Sequence, residues 1–165
     1  MLWFVHGRDR PGTAELRHEL TEAHWSFMDD FADVLVARGP TLTPDRTRAT
    51  GSLHIVDLPD AAAARSFAFD EPNYRAGVYA DVLIRRFTNV TGRTMWQFPG
   101  TAVDDRYLIL APPTTPEPTG DNLIVHGPLL TDDGTTTLGT AILIETPTTT
   151  YPGAETHPWQ FGGRS

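Results

Sequence analysis

The sequence predicts an α+β fold: a complete strand–helix–strand, strand–helix–strand unit followed by a helix-poor, strand-rich degenerate copy of itself. Three observations carry this. A long amphipathic segment follows a short apolar run at the N-terminus, β-branched runs bounded by Gly and Pro come after it, and the chain matches itself without gaps at a constant offset of 88 residues.

Leu2–His6 is a short apolar run that reads as the first strand, and Gly7–Gly12 reads as a turn. From Thr13 to about Asp33 the large apolar residues Leu16, Leu20, Phe27, Phe31 and Val34, with Ala23 in the gap, keep the three-and-four spacing of a helix with one buried face. Glu15, Glu22, Ser26, Asp29, Asp30 and Asp33 fall on the opposite face, so this helix lies at the surface. Val34–Ala37 is a strand stopped by Gly39-Pro40, and Leu53–Val56 is a strand entered through Gly51. Pro59 starts a short helix through Ala61–Phe69, and Tyr79–Phe87 alternates as a last strand. That order is the split βαβ, or ferredoxin-like, arrangement, with both helices on one face of an antiparallel sheet. The other face needs a second sheet against it.

The repeat offers one. Gly39/Gly127, Pro40/Pro128, Leu42/Leu130, Thr43/Thr131, Asp45/Asp133, Thr47/Thr135 and Gly51/Gly139 are identical at the constant offset of 88. After a two-residue shift Pro72 meets Pro158 and Gly77 meets Gly163, which sets the first copy's EPNYRAG against HPWQFGG. The second copy is eroded: 17 residues separate Leu110 from Gly127, against 34 from Val5 to Gly39, and the difference is the size of the first helix. Thr146–Tyr151 replaces the second helix, and Ser165 is reached before any final strand. Strands are expected at Tyr107–Ala111, Leu123–His126 and Ala141–Glu145, which divides the chain into residues 1–92, a linker at 93–105 and the truncated repeat at 106–165. A truncated copy cannot fully replace a second sheet, so some apolar surface or strand edge should remain for another chain and a homodimer is expected.

Composition limits the chemistry. The 165 residues hold no run of about 18 apolar residues, and the N-terminus enters a strand without a basic leader, so the expectation is a cytoplasmic protein with no membrane contact. The absence of cysteine excludes disulfides and thiolate chemistry, and all 13 basic residues are arginine, which excludes a Schiff-base or P-loop lysine. A net charge of −8, −2 in residues 1–95 and −6 in residues 96–165, argues against nucleic acid as a partner. Arg8, Arg10 and Arg17 near the first strand-to-helix junction, and Arg85 with Arg86, either form a local anion site or are solvated surface charges. The arginine, alanine, proline and glycine bias fits a GC-rich bacterial genome.

His24 stands in the middle of the apolar stripe, four residues after Leu20 and three before Phe27. Such a histidine is either a core residue bonded to a carbonyl or carboxylate, or a general acid–base in a pocket. His6, His54, His126 and His157 share no metal-ligand spacing, so no metal is expected. His54 faces opposite to Leu53 and Ile55 on its strand, where it lines a cleft or caps the sheet. Tyr74 and Tyr79 flank an acidic segment and either close a pocket or pack.

The runs GRDRPGTAELRHELTEAHW, ARGPTLTPD, TGSLHIVDLPD and DEPNYRAGVYADVLIRRF resemble the YCII (YciI-like) family of the dimeric α+β barrel superfamily over about residues 1–90. The most specific parts are the Arg17 to His24 spacing and the acid-Pro segment that runs into Ala76-Gly77-Val78-Tyr79. The resemblance implies a ferredoxin-like unit that pairs sheet to sheet and a His–carboxylate pair at a cleft. It matches the histidine to His24 and the acid to Glu71, where the family has Asp; the adjacent Asp70 leaves open which acid meets His24. Arg17, Ser52, His54, Tyr74 and Tyr79 are the supporting candidates. Some members of the family eliminate chloride from chlorinated hydroxyquinones. With no cysteine, lysine or nucleophile-elbow serine, the expected chemistry is cofactor-free proton transfer of lyase or isomerase type on a small organic or aromatic metabolite, in secondary metabolism. The alternative is a non-catalytic small-molecule-binding or assembly protein on the same scaffold.

Overall fold

The computed structural model describes residues 1–164. β1 (Leu2–Asp9) leads into α1 (Ala14–Glu19) and α2 (Thr21–Asp29), and β2 (Leu35–Leu42) and β3 (Ala49–Asp57) form a hairpin. α3 (Ala61–Asp70) and α4 (Pro72–Arg75) then precede β4 (Tyr79–Phe87). The second half consists of β5 (Arg106–Ala111), β6 (Leu123–Leu130), β7 (Thr137–Glu145) and β8 (Glu155–Pro158). No helix among the described residues is long and apolar enough to cross a membrane.

All eight strands belong to one antiparallel sheet in the order β2-β3-β1-β4-β6-β7-β5-β8, so the second half repeats the strand order of the first. The registers repeat too. Leu35 faces Val56 as Leu123 faces Ile144, Gly39 faces Leu53 as Gly127 faces Ala141, and both hairpins slip register at equivalent places. Phe4 lies between Ile55 and Arg85 as Leu108 lies between Leu143 and His157. β8 is therefore the counterpart of β4. This corrects two expectations: the repeat does have a final strand, and HPWQFGG belongs to that strand and its exit, not to the acid-Pro loop. A four-residue strand ending on Pro158 is too short to show alternation.

The sheet closes on itself. β4 meets β6 at Arg86–Leu130 and Phe87–Leu129, and at the other seam Thr41 bridges Trp159 just past β8. There Gly162 N–H donates to the Arg38 carbonyl at 3.0 Å; at the first seam Val90 N–H donates to His126 at 2.9 Å. The result is an eight-stranded barrel with an approximate twofold relation between its halves. The shared glycines follow from this closure: a Cβ on Gly39 would sit 1.9 Å from the Gln160 carbonyl oxygen, and one on Gly127 would sit 1.7 Å from that of Thr88. Gly39-Pro40 accordingly does not stop β2, which runs through to Leu42 because the missing Cβ admits the neighbouring backbone and the Pro40 carbonyl accepts from Gln160 N–H at 3.4 Å. Both outer strand edges, one of the two grounds for the homodimer expectation, are engaged within the chain.

Three apolar layers hold the barrel. Phe4, Leu53, Ile55, Phe87, Leu108, Leu143 and Trp159 fill its interior, joined by Met95 and Phe98 from the segment expected as a linker. Trp3, Val5, Met28, Val56, Ala64 and Phe67 pack the first half's outer face under the helices. On the second half Ile109, Ile142 and Ile144 meet Tyr151 and Ala154 of a loop where the first half has helices. Each such side chain, fully buried, contributes about 1.5–3 kcal/mol.

The single helix expected from Thr13 to Asp33 is bent. α1 gives way to α2 at Leu20, where the Thr21 hydroxyl donates to the Arg17 carbonyl at 3.3 Å, a side-chain bond that bends helices. It ends at Asp29, and Ala32–Val34 form a 3-10 turn with Val34 exposed. β1 runs on through the expected turn at Gly7 and bulges at Arg8/Asp9, which turns Asp9 toward the helices.

Candidate active site

Between α1, α2 and the outer face of β2 and β3 lies a cavity of about 460 Å³. Its walls carry Arg17, His18, His24 and Trp25 from the helices, Arg38, Arg48, Ser52 and His54 from the hairpin, and Gln160–Gly163 from the C-terminal segment. Among the described residues three arginines and three histidines line it without a carboxylate, on a chain of net charge −8. Arg48 stands exposed at the mouth, whereas Arg38 is buried and donates from Nη1 to Asp29 at 3.1 Å.

His24 and Glu71 meet at the back of this cavity. The His24 Nδ1 lies 3.0 Å from Glu71 Oε2, and the Asn73 N–H donates to that same oxygen at 2.9 Å. Sequence and geometry agree on why Glu71 is here: its extended backbone and side chain cap α4, Pro72 takes the first helical position, and the carboxylate is turned inward. Asp70 is exposed and 3.9 Å from Arg75, so of the two adjacent acids Glu71 is the one beside His24. Burial alone would raise the Glu71 carboxyl, but the His24 ring, the Tyr79 hydroxyl and the Asn73 N–H outweigh it and hold the group below its ordinary value. An ionised Glu71 accepts from Nδ1–H, which leaves Nε2 as the free base of the His24 ring.

A second ion pair supports the first. Arg17 Nε lies 3.0 Å from Asp9 Oδ2, and Arg17 Nη2 donates to the Gly51 carbonyl at 2.6 Å and to the Ser52 hydroxyl. Burial pushes the Asp9 carboxyl up to about 6 against the pull of Arg17. His54 packs 5.4 Å from the His24 ring, and burial, followed by the His24 charge, pushes it well below its usual value, so it stays neutral. Tyr79 lies behind, its ring against Gly7, where a Cβ would come within 2.7 Å. Burial pushes its hydroxyl up, and it accepts from Asn73 Nδ2 at 3.4 Å.

Of the residues singled out in the sequence, His24, Glu71, Arg17, Ser52, His54 and Tyr79 are brought together. Asp70 is not, and Tyr74 is turned to the surface against Phe69 at 4.8 Å. Sequence reasoning passed over Arg38, Arg48, Asp9, Asn73 and the C-terminal wall. Arg38 had a signal, because it is the cross-strand partner of His54 and shares its face. The wall had only its place in the repeat, as part of HPWQFGG, and no signal for the cavity, since the seam joins β2 to a segment more than a hundred residues away in the chain. Among the described residues no group of three or more His, Asp or Glu could hold a metal ion.

Comparison with known proteins gives three findings. The YCII-related domain matches residues 1–88. An uncharacterized protein of Haemophilus influenzae is 30% identical over 97 residues, spanning 54% of this chain and 99% of the relative. The solved structure of 5-chloro-2-hydroxyhydroquinone dehydrochlorinase (TftG) from Burkholderia phenoliruptrix, in complex with 2,5-dihydroxybenzoquinone, is 26% identical with a TM-score of 0.52, covering 56% of this chain and 99% of that one.

Proposed function

This chain belongs to the YCII-related family, and from that premise we propose that it is a cofactor-free, small-molecule enzyme of lyase or isomerase type that moves protons with the His24–Glu71 pair. The observation that carries the reading is the 3.0 Å His24–Glu71 contact on the wall of a cavity whose charged side chains are all cationic. Glu71 fixes the tautomer and stabilises imidazolium when it forms; Nε2 takes the proton. Arg17, Arg38 and Arg48 favour an anionic substrate, and a cavity of about 460 Å³ suits a single substituted ring.

For a chlorinated hydroxyhydroquinone, the class on which TftG acts, the balance is simple. His24 accepts one hydroxyl proton and returns it to the ring carbon that bears chlorine, giving a keto tautomer with a C(H)–Cl centre; loss of a second hydroxyl proton then drives that oxygen's electron pair through the ring to form a second carbonyl and a new ring double bond as chloride departs, with net loss of HCl. The arginines hold the oxyanion that develops. Arg17, tied to Asp9, Ser52 and the Gly51 carbonyl, supplies its charge without having to reorganise. A histidine with a purely structural role belongs in a filled core; a cavity beside the His24–Glu71 pair favours catalysis over the non-catalytic alternative.

The test is chloride and proton release from 5-chloro-2-hydroxyhydroquinone and related halogenated hydroxyquinones. His24→Ala should lower turnover by roughly 10²-fold or more, and Glu71→Gln by less, because the amide keeps a hydrogen bond and loses the charge. Retention of full turnover by His24→Ala, with a melting point several degrees lower, makes His24 a core residue and ends this reading. Light scattering at tens of micromolar decides the assembly: a monomer is the closed barrel alone, and a homodimer has to use a surface other than the two seams.

A further inference from the structure

The approximate twofold gives the molecule two equivalent wall segments, each following the fourth strand of its half. Thr88–Thr91 leave β4 and press on Gly127; Gln160–Gly163 leave the end of β8 and press on Gly39. They have the same backbone relation to the neighbouring strand, and their sequences share nothing. Only the second borders the cavity. Around the first, the counterparts of Ser52 and His54 are Thr140 and Ile142, and no helix stands over them. The Haemophilus relative, matched over 97 residues that make up 99% of its length, is about one such unit long. A symmetric pair of such one-unit chains would have to use one segment for both sites, whereas this chain can vary its second copy freely.

The second copy is fastened to the helix that carries His24. Arg164 donates from Nη1 and Nη2 to Glu22 at 2.8 and 2.7 Å, from Nε to Asp29 at 2.7 Å, and lies over the Trp25 ring at 5.6 Å. Gly163 lies so close to the Arg38 guanidinium that a Cβ would come within 2.9 Å of its Cζ. Gln160 is exposed on the cavity wall and its side chain makes no hydrogen bond among the described residues. Phe161 packs at 5.4 Å from Trp159, with the Arg106 guanidinium 4.0 Å from its ring centre.

We propose that Gln160–Gly163, supplied by the degenerate half, form the specificity-determining wall of the His24 cavity, with the Gln160 amide reading the polar edge of the substrate and Arg164 clamping the wall to α2. The proposal rests on the reading of the cavity as an anionic-substrate site and adds which residues choose among such substrates. An amide placed to hydrogen-bond a ligand oxygen discriminates against ligands lacking it, because the amide is then left unpaired.

The experiment is titration calorimetry of the full chain with 2,5-dihydroxybenzoquinone and with 4-hydroxybenzoate as probes. Gln160→Leu should change the ratio of the two dissociation constants by roughly 10-fold, and Thr88→Leu, at the equivalent position of the other wall, should leave it within about twofold. Arg164→Ala should weaken both probes together. An unchanged ratio in Gln160→Leu, or an equal change in Thr88→Leu, overturns the proposal. If neither probe binds the wild-type chain, the anionic-substrate reading fails by itself, and the wall is judged by carbethoxylation of His24 with diethyl pyrocarbonate. Arg164→Ala should then speed modification several-fold, and an unchanged rate overturns the wall as well.

Discussion

The two halves share strand order, register, bulges and seam contacts, yet only one carries helices and polar chemistry on its outer face. At the places of Arg38, Ser52 and His54 the second half has His126, Thr140 and Ile142. At the places of Gly39 and Asp45 nothing has changed. The difference separates two kinds of constraint. Residues that let backbones approach are held by the barrel itself, and any half that closes the barrel must keep them. Polar residues under the helices are held by the partners the helices supply. Ser52 accepts from Arg17 of α1, Arg38 donates to Asp29 of α2, and His54 packs on the His24 ring; without those helices position 142 lies in an apolar cluster, where isoleucine is the stable choice.

The steric constraint can be broken at both seams. Gly39→Ala and Gly127→Ala each force a neighbouring backbone carbonyl to move, since the added Cβ would lie 1.9 and 1.7 Å from it. Backbone shifts of this kind typically cost about 1–3 kcal/mol, and both variants should melt several degrees below wild type. The comparison lies in the second readout. Gly39→Ala should also weaken probe binding, because the displaced carbonyl is that of Gln160 in the cavity wall; Gly127→Ala should not. Equal binding losses in the two would mean that the seams are not functionally distinct.

The same division explains what the sequence made legible. The offset-88 repeat was readable because the β2–β3 and β6–β7 hairpins keep sterically required Gly, Pro and Asp at fixed spacing. The helix stripe around His24 was readable from its periodicity, and the match of Glu71 to its partner came through the family resemblance. The kink at Leu20 and the extra turn of β1 depend on a side-chain bond and a bulge, which leave no periodic trace. Arg38 was missed because its role depends on sitting opposite His54, a pairing fixed by register. The closure at Thr41–Trp159 joins segments from the two ends of the chain, and no local pattern reports it.

A second polar contrast between the halves, His6 inside the barrel beside Phe4 where the second half has Leu110, can be probed together with His54 through pH. Burial, with smaller contributions from His157 and Arg8, pushes the His6 ring down to about 3, and burial with the His24 charge pushes His54 well below 6.5. Among the described residues neither ring nitrogen of His6 has a hydrogen-bond partner. As pH falls below about 6.5 the unfolded chain binds protons at these rings and the folded chain does not, so stability is lost from that pH toward about 3 for His6. Each ring contributes a slope of up to about 1.4 kcal/mol per pH unit. Asp9 works the other way: its folded value of about 6 stands above 3.8, so stability falls as pH rises between them and one ring is partly offset. Urea unfolding at pH 7 and pH 5 should show a net loss on acidification. His6→Leu, which borrows Leu110 from the second half, should flatten the profile by about one ring's share; an unchanged profile would mean that His6 is protonated equally in both states.

The smallest effect belongs to a feature the halves share. In the β2–β3 loop Asp45 accepts from the Thr43 hydroxyl at 2.6 Å and from the Thr47 N–H and hydroxyl at 3.1 and 2.7 Å. In the β6–β7 loop Asp133 accepts from Thr131 at 2.7 Å and from the Thr135 N–H and hydroxyl at 3.0 and 2.7 Å. The threonine hydrogen bonds hold both carboxyls down to about 2, so each loop's contribution is fully present above 3.8 and is lost as pH falls through about 2. Asp→Asn at either place keeps an acceptor oxygen and should change the melting point little; Asp→Ala should lower it by a degree or two in each. One asymmetry remains between the loops. The left-handed position holds Arg46 at φ 61° in the first and Gly134 at φ 74° in the second. Arg46 donates to the Arg106 and Trp159 carbonyls at 2.8 and 3.3 Å, which ties its loop to the second half near the seam. Asp45→Ala should therefore cost more than Asp133→Ala, because loosening the first loop also loosens that tie, and Arg46→Gly should abolish the difference. If the two alanine variants melt together while Arg46→Gly has no effect, the tie contributes nothing and the loops are equivalent in energy as well as in shape.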